Sequence, residues 1–180
     1  RLWWLMRYYG QAAVLLDGGL KAWVMEGYSL QPGKTVTEPS AIPELTADES
    51  MVADSGQIEK SLRTGGLTVA DARASDRFRG ENETLDVRAG HIPRSLNRPY
   101  ARNLDALGRF KPPAELKEEF EEVLGEARGR EVVHSCGSGV TACHNYFAME
   151  LAGLGGTRVY PGSWSEWIRD PGRPIATGQE

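Results

Sequence analysis

The feature that most constrains the fold is a short apolar run that leads into a cysteine and a glycine-spaced loop. Residues 131–133 (Glu-Val-Val) predict a buried strand, and the loop from His134 to Gly139 follows it directly. Residues 140–154 then read as a helix. This order places Cys136 where backbone N–H groups and a helix N-terminus converge. Such a position favours an anion and hence a reactive thiolate at Cys136. The structural alternative is that a lone cysteine at a strand–turn–helix junction is more often a small buried residue.

The other apolar runs predict an α/β fold with a mostly parallel sheet and helices on both faces. Strands are expected at residues 67–70, 95–98, 131–135 and 157–160, with helices near 56–62, 113–127 and 140–154. In such sheets, ligands bind beyond the carboxyl ends of the strands. Asp71, Arg73 and Cys136 all fall at these ends, which predicts one shared site.

Several motifs resemble those of the rhodanese-type sulfurtransferases. The loop from Cys136 to Ala142 (Cys-Gly-Ser-Gly-Val-Thr-Ala) is similar to their active-site loop, and most like the form in 3-mercaptopyruvate sulfurtransferases. The other motifs occur in the family's order: Asp71-Ala72-Arg73, Arg77-Phe78-Arg79-Gly80, Gly90-His91-Ile92-Pro93, and the segment from Tyr160 to Trp167. The resemblance extends from about residue 44 to 177. Arg94 departs from it, because the family usually has glycine there.

This resemblance implies a sulfurtransferase. It would move a sulfane sulfur from 3-mercaptopyruvate or thiosulfate to a thiol or cyanide acceptor through a persulfide on Cys136, with thioredoxin as one candidate acceptor. Gly137 and Ser138 replace the basic residues of thiosulfate-preferring members, which favours 3-mercaptopyruvate. No cofactor is implied.

The resemblance also assigns site residues. Cys136 and Ser138 would be catalytic, with Ser138 relaying a proton. The donor would be bound by two arginines and the loop, namely Arg77, Arg88, Gly137, Gly139, Val140 and Thr141. Small hydroxyl residues also suit tight loops and helix caps, so Ser138 and Thr141 have a structural alternative.

Three other interpretations are weighed. A non-catalytic or regulatory rhodanese module is the main alternative, although such modules commonly lack the cysteine that this loop keeps. Cell-cycle phosphatases of the same fold carry an arginine where this chain has Ala142. A zinc site formed by His134, Cys143 and His144 would require the loop to wrap the ion, so no metal is expected.

An internal repeat predicts the domain organisation. Residues 14–23 echo residues 158–167, and in both copies a glycine precedes a tryptophan by five positions. We therefore predict that residues 1–30 are the C-terminal part of an inactive rhodanese domain, with a strand at Ala12–Leu16. Residues 31–43 would be a linker and residues 44–180 the catalytic domain. The missing half of the first domain is the partner expected to cover the apolar side chains of residues 1–30.

Composition argues against a nucleic-acid-binding protein and against a membrane-spanning one. The net charge of −4 and the absence of a basic run argue against nucleic-acid binding. No run approaches the ~18 apolar residues of a membrane span. Two cysteines in 180 residues favour a reducing compartment and hence the cytoplasm.

Overall fold

A four-stranded parallel sheet forms the centre of the molecule. The computed structural model describes residues 1–36, 38 and 44–179. The strands are β1 (Thr68–Asp71), β2 (Leu96–Asn97), β3 (Val132–Ser135) and β4 (Arg158–Val159), in the order β2-β1-β3-β4. Thr68 pairs with Val132 and Asp71 with Ser135, so β1 and β3 end at the same edge. Cys136, the next residue of β3, therefore lies beside the chain that leaves β1.

Helices cover both faces of this sheet, as the sequence predicts. They are α1 (Leu2–Tyr8), α2 (Gly19–Met25), α3 (Ser55–Thr64), α4 (Ser75–Arg79), α5 (Pro113–Leu124), α6 (Ala142–Leu151) and α7 (Ser163–Trp167). Short 3-10 turns occur at Glu49–Met51, Tyr100–Asn103 and Gly129–Glu131. None of the described helices is long and apolar enough to cross a bilayer.

Two apolar clusters join the helices to the sheet. On one face, Ile58 of α3 and Trp164 of α7 pack with Val69 and Val133. On the other face, the cluster comes from α5, α6 and the opposite side chains of β1 and β3: Ala70, Leu116, Phe120, Leu124, Val132, Ala148 and Met149. Alternate residues of a strand point to opposite faces, so both faces of β1 and β3 are buried.

The helix boundaries follow from local chemistry. Helix α3 begins with a capping box, because the Asp54 carboxylate accepts from the Gln57 N–H while the Gln57 side chain accepts from the Asp54 N–H. Helix α5 has Pro113 at its first position, where no N–H is needed. Helix α4 lies between β1 and His91, in a stretch where no helix is predicted from the sequence. It has only five residues, too few for a hydrophobic period to show.

The N-terminal segment packs on the domain through α1, while Asp17 accepts a hydrogen bond from the Phe110 N–H and Glu26 pairs with Arg109. Trp3 and Trp4 are buried in a cluster with Cys136, Cys143 and Tyr146. The rest of the segment is mostly exposed, and the predicted strand at Ala12–Leu16 is wrong. A strand requires a partner ladder, and in the described residues this stretch pairs with no strand. The predicted linker falls partly on residues 37 and 39–43, which lie outside the described residues.

His134 is a titratable group at the centre of the sheet. It is fully buried on β3, and its Nε2 lies 3.2 Å from the Thr157 hydroxyl. Burial disfavours the charged imidazolium and lowers the pKa of His134 from 6.5 to about 3. The ring is therefore neutral in the folded protein at every physiological pH.

We expect His134 to make folding stability depend on pH. In the unfolded chain this ring takes up a proton below about pH 6.5, whereas in the folded protein it does so only near pH 3. Stability should therefore fall as the pH drops through this range, by about 2 kcal/mol at pH 5 relative to neutral pH. Urea unfolding at pH 5 and 7.5 measures this change. In His134→Gln the stability difference between the two pH values should be about 2 kcal/mol smaller. An unchanged difference would show that His134 is not the group responsible.

Candidate active site

Cys136 lies at the carboxyl end of β3, at the base of a cavity of about 230 Å³. Its side chain is almost fully buried, at 2% exposure. The cavity is lined by the loop and by three other parts of the chain: Arg77, Leu85, Asp86, Cys136, Gly137, Ser138, Val140, Thr141 and Ser165. The structure thus brings Arg77 of the family motif next to the cysteine loop.

The start of α7 holds the loop in place. The Ser163 hydroxyl accepts a hydrogen bond from the Cys136 N–H at 3.1 Å and donates one to the Tyr160 carbonyl at 2.8 Å. The N–H groups of Trp164 and Ser165 donate to the carbonyls of Cys136 and Gly137, at 3.0 and 2.9 Å. Backbone and side chain of one short helix therefore orient the peptide groups on either side of the nucleophile.

The N–H groups of the loop itself remain available. Within the described residues, no hydrogen bond runs from the N–H groups of residues 137–142 to a protein acceptor. Unpaired backbone donors on a cavity wall are costly unless water or a ligand satisfies them. Successive N–H groups of this kind form an anion-binding concavity, and α6 begins directly after it at Ala142. These donors could therefore bind an anion beside the Cys136 sulfur.

Gly139 permits the tight closure of this loop. Its φ is +73°, which disfavours a side chain, and an added Cβ would overlap the Pro161 carbonyl oxygen. Gly137 differs, because its φ is not in the left-handed region and an added Cβ would meet only ordinary contacts with Arg77 and Asp86. Backbone conformation and space therefore require glycine at position 139 but not at position 137.

Arg77 reaches the cavity from α4 as part of an ion-pair network. Its Nε and Nη2 donate to both carboxylate oxygens of Glu83 at 2.8–3.2 Å, and Nη2 lies 3.3 Å from Asp86 Oδ2. Arg73 is bound by Asp71 in a buried pair and lies 3.5 Å from Glu83. Arg73 thus has a structural role, while Arg77, with 20% of its side chain exposed, faces the cavity.

The remaining predicted site residues are placed as follows. Ser138, Val140 and Thr141 line the cavity. Arg88 does not line it; its carbonyl accepts a hydrogen bond from Trp164 Nε1 at 2.9 Å, so its backbone helps to fix α7. The Ser138 carbonyl accepts from the Arg1 guanidinium at 3.1 Å.

Sequence reasoning missed four residues of the site, namely Glu83, Asp86, Ser163 and Ser165. Ser163 lies in the Tyr160–Trp167 motif, and its φ of +51° is unusual for a residue that is not glycine. Asp86 and Glu83 lie between the Arg77–Gly80 and Gly90–Pro93 motifs, outside both of them. A signal for Ser163 was present in the motif, whereas no local signal marks the two carboxylates.

Cys143, on α6, supports the loop through its side chain. Its thiol donates to the Gly139 carbonyl at 3.2 Å, and burial raises its pKa to about 11, so it stays protonated. Burial likewise lowers the pKa of His144 to about 4, and its Nδ1 contacts the Asn103 amide. No group of three metal-ligating side chains occurs in the part of the chain that the structure describes.

Comparison with protein families identifies the class that this fold and loop define. The rhodanese-like domain model matches residues 54–170, so the chain belongs to the rhodanese-like family. This range includes the sheet, the cysteine loop and α7.

Relatives within this family are sulfurtransferases. A Pseudomonas aeruginosa protein named probable 3-mercaptopyruvate sulfurtransferase is 46% identical over 99% of this chain and 63% of its own length. Human 3-mercaptopyruvate sulfurtransferase is 37% identical over 93% of this chain and 57% of its own. The chain thus spans about three fifths of the length of these curated relatives.

A solved structure supports the fold alone. The anaerobic ergothioneine biosynthesis enzyme of Chlorobium limicola superposes with a TM-score of 0.83, covers 99% of this chain and 44% of its own, and is 23% identical.

We expect Gly139→Ala to destabilise the protein and Gly137→Ala to serve as its matched control. The first places a Cβ at positive φ against the Pro161 carbonyl, which should lower the free energy of unfolding by about 2–4 kcal/mol. The second should cost within about 1 kcal/mol, since its Cβ meets no close contact. Denaturant unfolding measures both, and equal losses would refute the distinction.

Proposed function

We propose that this protein is a sulfurtransferase that carries sulfur as a persulfide on Cys136. One observation supports the proposal above all others: the cysteine ends a buried strand inside a loop whose six following N–H groups have no protein acceptor among the described residues. Those donors suit a thiolate before reaction and a persulfide anion after it. The sulfurtransferase names of the relatives agree with this assignment.

The proposed reaction has two steps. In the first, the Cys136 thiolate attacks the sulfur of 3-mercaptopyruvate, the carbon–sulfur bond breaks, and its electron pair leaves as pyruvate enolate. The proton of the donor thiol moves to the enolate carbon, and Ser138 is the candidate relay. In the second step, an acceptor thiolate or cyanide attacks the outer sulfur and regenerates the Cys136 thiolate, which gives ping-pong turnover.

Donor choice is proposed from the charges of the cavity. The Arg77 guanidinium offers the donor carboxylate a charge-assisted hydrogen bond. Gly137 and Ser138 provide no positive charge beside the cysteine for a doubly charged donor. These features favour 3-mercaptopyruvate over thiosulfate. The structure gives no role in the cavity to the Arg88 side chain, so Arg77 is the arginine we assign to the donor.

The rival functions are less well supported. A phosphatase of this fold needs an arginine near the end of the loop, but Ala142 there is fully buried. A regulatory module would need neither a closely held cysteine nor unpaired loop donors. It is nevertheless the alternative that a failed turnover experiment would favour.

We also propose a sulfur acceptor, a cellular compartment and a role for residues 1–30. A protein thiol such as thioredoxin is a candidate acceptor, and the cytoplasm is the proposed compartment because both cysteines are free thiols. Residues 1–30 are proposed to be the tail of a first rhodanese domain. Their exposed apolar side chains, among them Val14, Leu16 and Met25, would then contact the remainder of that domain.

We expect the full-length protein incubated with 3-mercaptopyruvate to gain ~32 Da, the mass of one sulfur, and to lose it on adding cyanide. Cys136→Ser should abolish both the adduct and turnover. Cys143→Ser is the matched control, because its hydroxyl can still donate to the Gly139 carbonyl, and most activity should remain. Intact-mass spectrometry and steady-state kinetics provide the readouts. An adduct on Cys143, or none at all, would exclude this mechanism.

We expect Arg77→Ala to lower kcat/KM for 3-mercaptopyruvate on the order of 10²-fold, since a charge-assisted bond to a carboxylate is worth roughly 1.5–3 kcal/mol. The kcat/KM of Arg77→Lys should lie between those of the unaltered protein and Arg77→Ala, because lysine keeps the charge and loses the planar guanidinium. Arg79→Ala is the control: it lies on the same helix and pairs with exposed Glu81 outside the cavity. Equal kinetics for Arg77→Ala and the control would show that the donor carboxylate is bound elsewhere.

A further inference from the structure

We propose that Asp86 is a specificity-determining residue that selects against sulfur donors with two negative charges. The inference rests on the proposed function and deepens it, because it assigns the discrimination between donor classes to one side chain. It starts from the position of the Asp86 carboxylate, which lines the same cavity as Cys136.

The carboxylate faces the residue that follows the nucleophile. From the position that a Cβ would take on Gly137, Asp86 Oδ2 is 4.0 Å away and Arg77 Nη2 is 3.7 Å away. A donor anion bound by the loop N–H groups therefore lies between a guanidinium and a carboxylate. The wall opposite the loop presents charges of both signs.

Carboxylates outnumber guanidinium groups on this wall of the cavity. Glu83 accepts from both Nε and Nη2 of Arg77 and is itself only 2% exposed, so its charge is directed at the arginine. Asp86 shares only one contact with Arg77, at 3.3 Å, and is the more exposed carboxylate at 11%. With the Asp71–Arg73 pair included, three carboxylates face two guanidinium groups, which leaves one negative charge unbalanced.

Two hydrogen bonds fix the carboxylate in this position. The Ser165 hydroxyl donates to Asp86 Oδ1 at 2.6 Å, and the Asp86 N–H donates to Glu83 Oε1 at 3.1 Å. Ser165 is also the residue whose N–H holds the Gly137 carbonyl. The charge of Asp86 is thus held at a constant place relative to the loop and acts on every anion that enters.

A fixed charge discriminates by the charge of the ligand. At a given separation, the Coulomb repulsion of a dianion is twice that of a monoanion. Removing the Asp86 charge should therefore raise the affinity for a dianion by about the square of the factor by which it raises the affinity for a monoanion. If the monoanion gains about 3-fold, the dianion gains about 10-fold.

The test compares Asp86→Asn with the unaltered full-length protein in two independent measurements. Asparagine keeps the shape and can still accept from Ser165. In the first measurement, kcat/KM for thiosulfate should rise by about 10-fold and for 3-mercaptopyruvate by about 3-fold or less, with the difference reduced at high salt. Glu81→Gln, an exposed carboxylate outside the cavity, should leave the ratio of the two donors unchanged.

The second measurement needs no turnover. Sulfate and pyruvate are added as unreactive probes that protect Cys136 from neutral iodoacetamide. The half-protecting concentration of sulfate should fall by about 10-fold in Asp86→Asn, and that of pyruvate by about 3-fold or less. An unchanged ratio of sulfate to pyruvate protection, or a parallel loss for both, would overturn the proposal.

The two proposals fail in different ways. Absence of turnover with both donors would count against sulfur transfer, while anion protection would still report on Asp86. Normal turnover with an unchanged donor ratio would refute the role of Asp86 alone. If circular dichroism shows that Asp86→Asn is unfolded, Asp86→Ser is measured under the same criteria.

Discussion

The site depends on the hydrogen bonds between the start of α7 and the cysteine loop. The Ser163 hydroxyl accepts from the N–H of Cys136, and the next two residues donate to the carbonyls of Cys136 and Gly137. These bonds satisfy the groups of the loop that point into the protein. Among the described residues, the N–H groups that follow in the loop have no protein acceptor. A backbone held in this way needs no reorganisation when charge moves onto the sulfur, which is the condition for strong electrostatic stabilisation.

A second layer of constraint comes from the buried charges around Arg73 and Arg77. Buried ion pairs add little net stability, because desolvation offsets much of the attraction, but an incomplete pair is costly. Here the carboxylates of Asp71 and Glu83 orient two arginines four residues apart, Arg73 just after β1 and Arg77 on α4. The network therefore serves mainly to fix the direction in which the two guanidinium groups point. It holds one guanidinium toward the cavity and keeps the other within the fold.

Much of this arrangement could be predicted from the sequence, and the parts that could not have physical reasons. The strand before Cys136, the amphipathic helix with Leu116 and Phe120 on one face, and the family motifs all carry strong local patterns. The internal repeat indicates one element correctly and one wrongly. The glycine before Trp23 precedes a helix, as its counterpart before Trp167 does. Its strand does not form, because pairing depends on a neighbour that local sequence does not specify. The ion pairs of Glu83 and Asp86 depend on tertiary contacts in the same way.

The packing of α1 ties the reactivity of the loop to a distant part of the chain. Trp3 and Trp4 share one apolar cluster with Cys136, Cys143 and Ala142, so the underside of the loop is completed by residues more than a hundred positions away. Opening of α1 would admit water to the floor of the site and weaken the support of the Gly139 carbonyl. Loss of α1 packing would therefore uncover the protein-facing side of the nucleophile while the strands of the sheet stay paired. One short helix thus contributes part of the apolar cover of the cysteine, although it supplies no atom to the cavity.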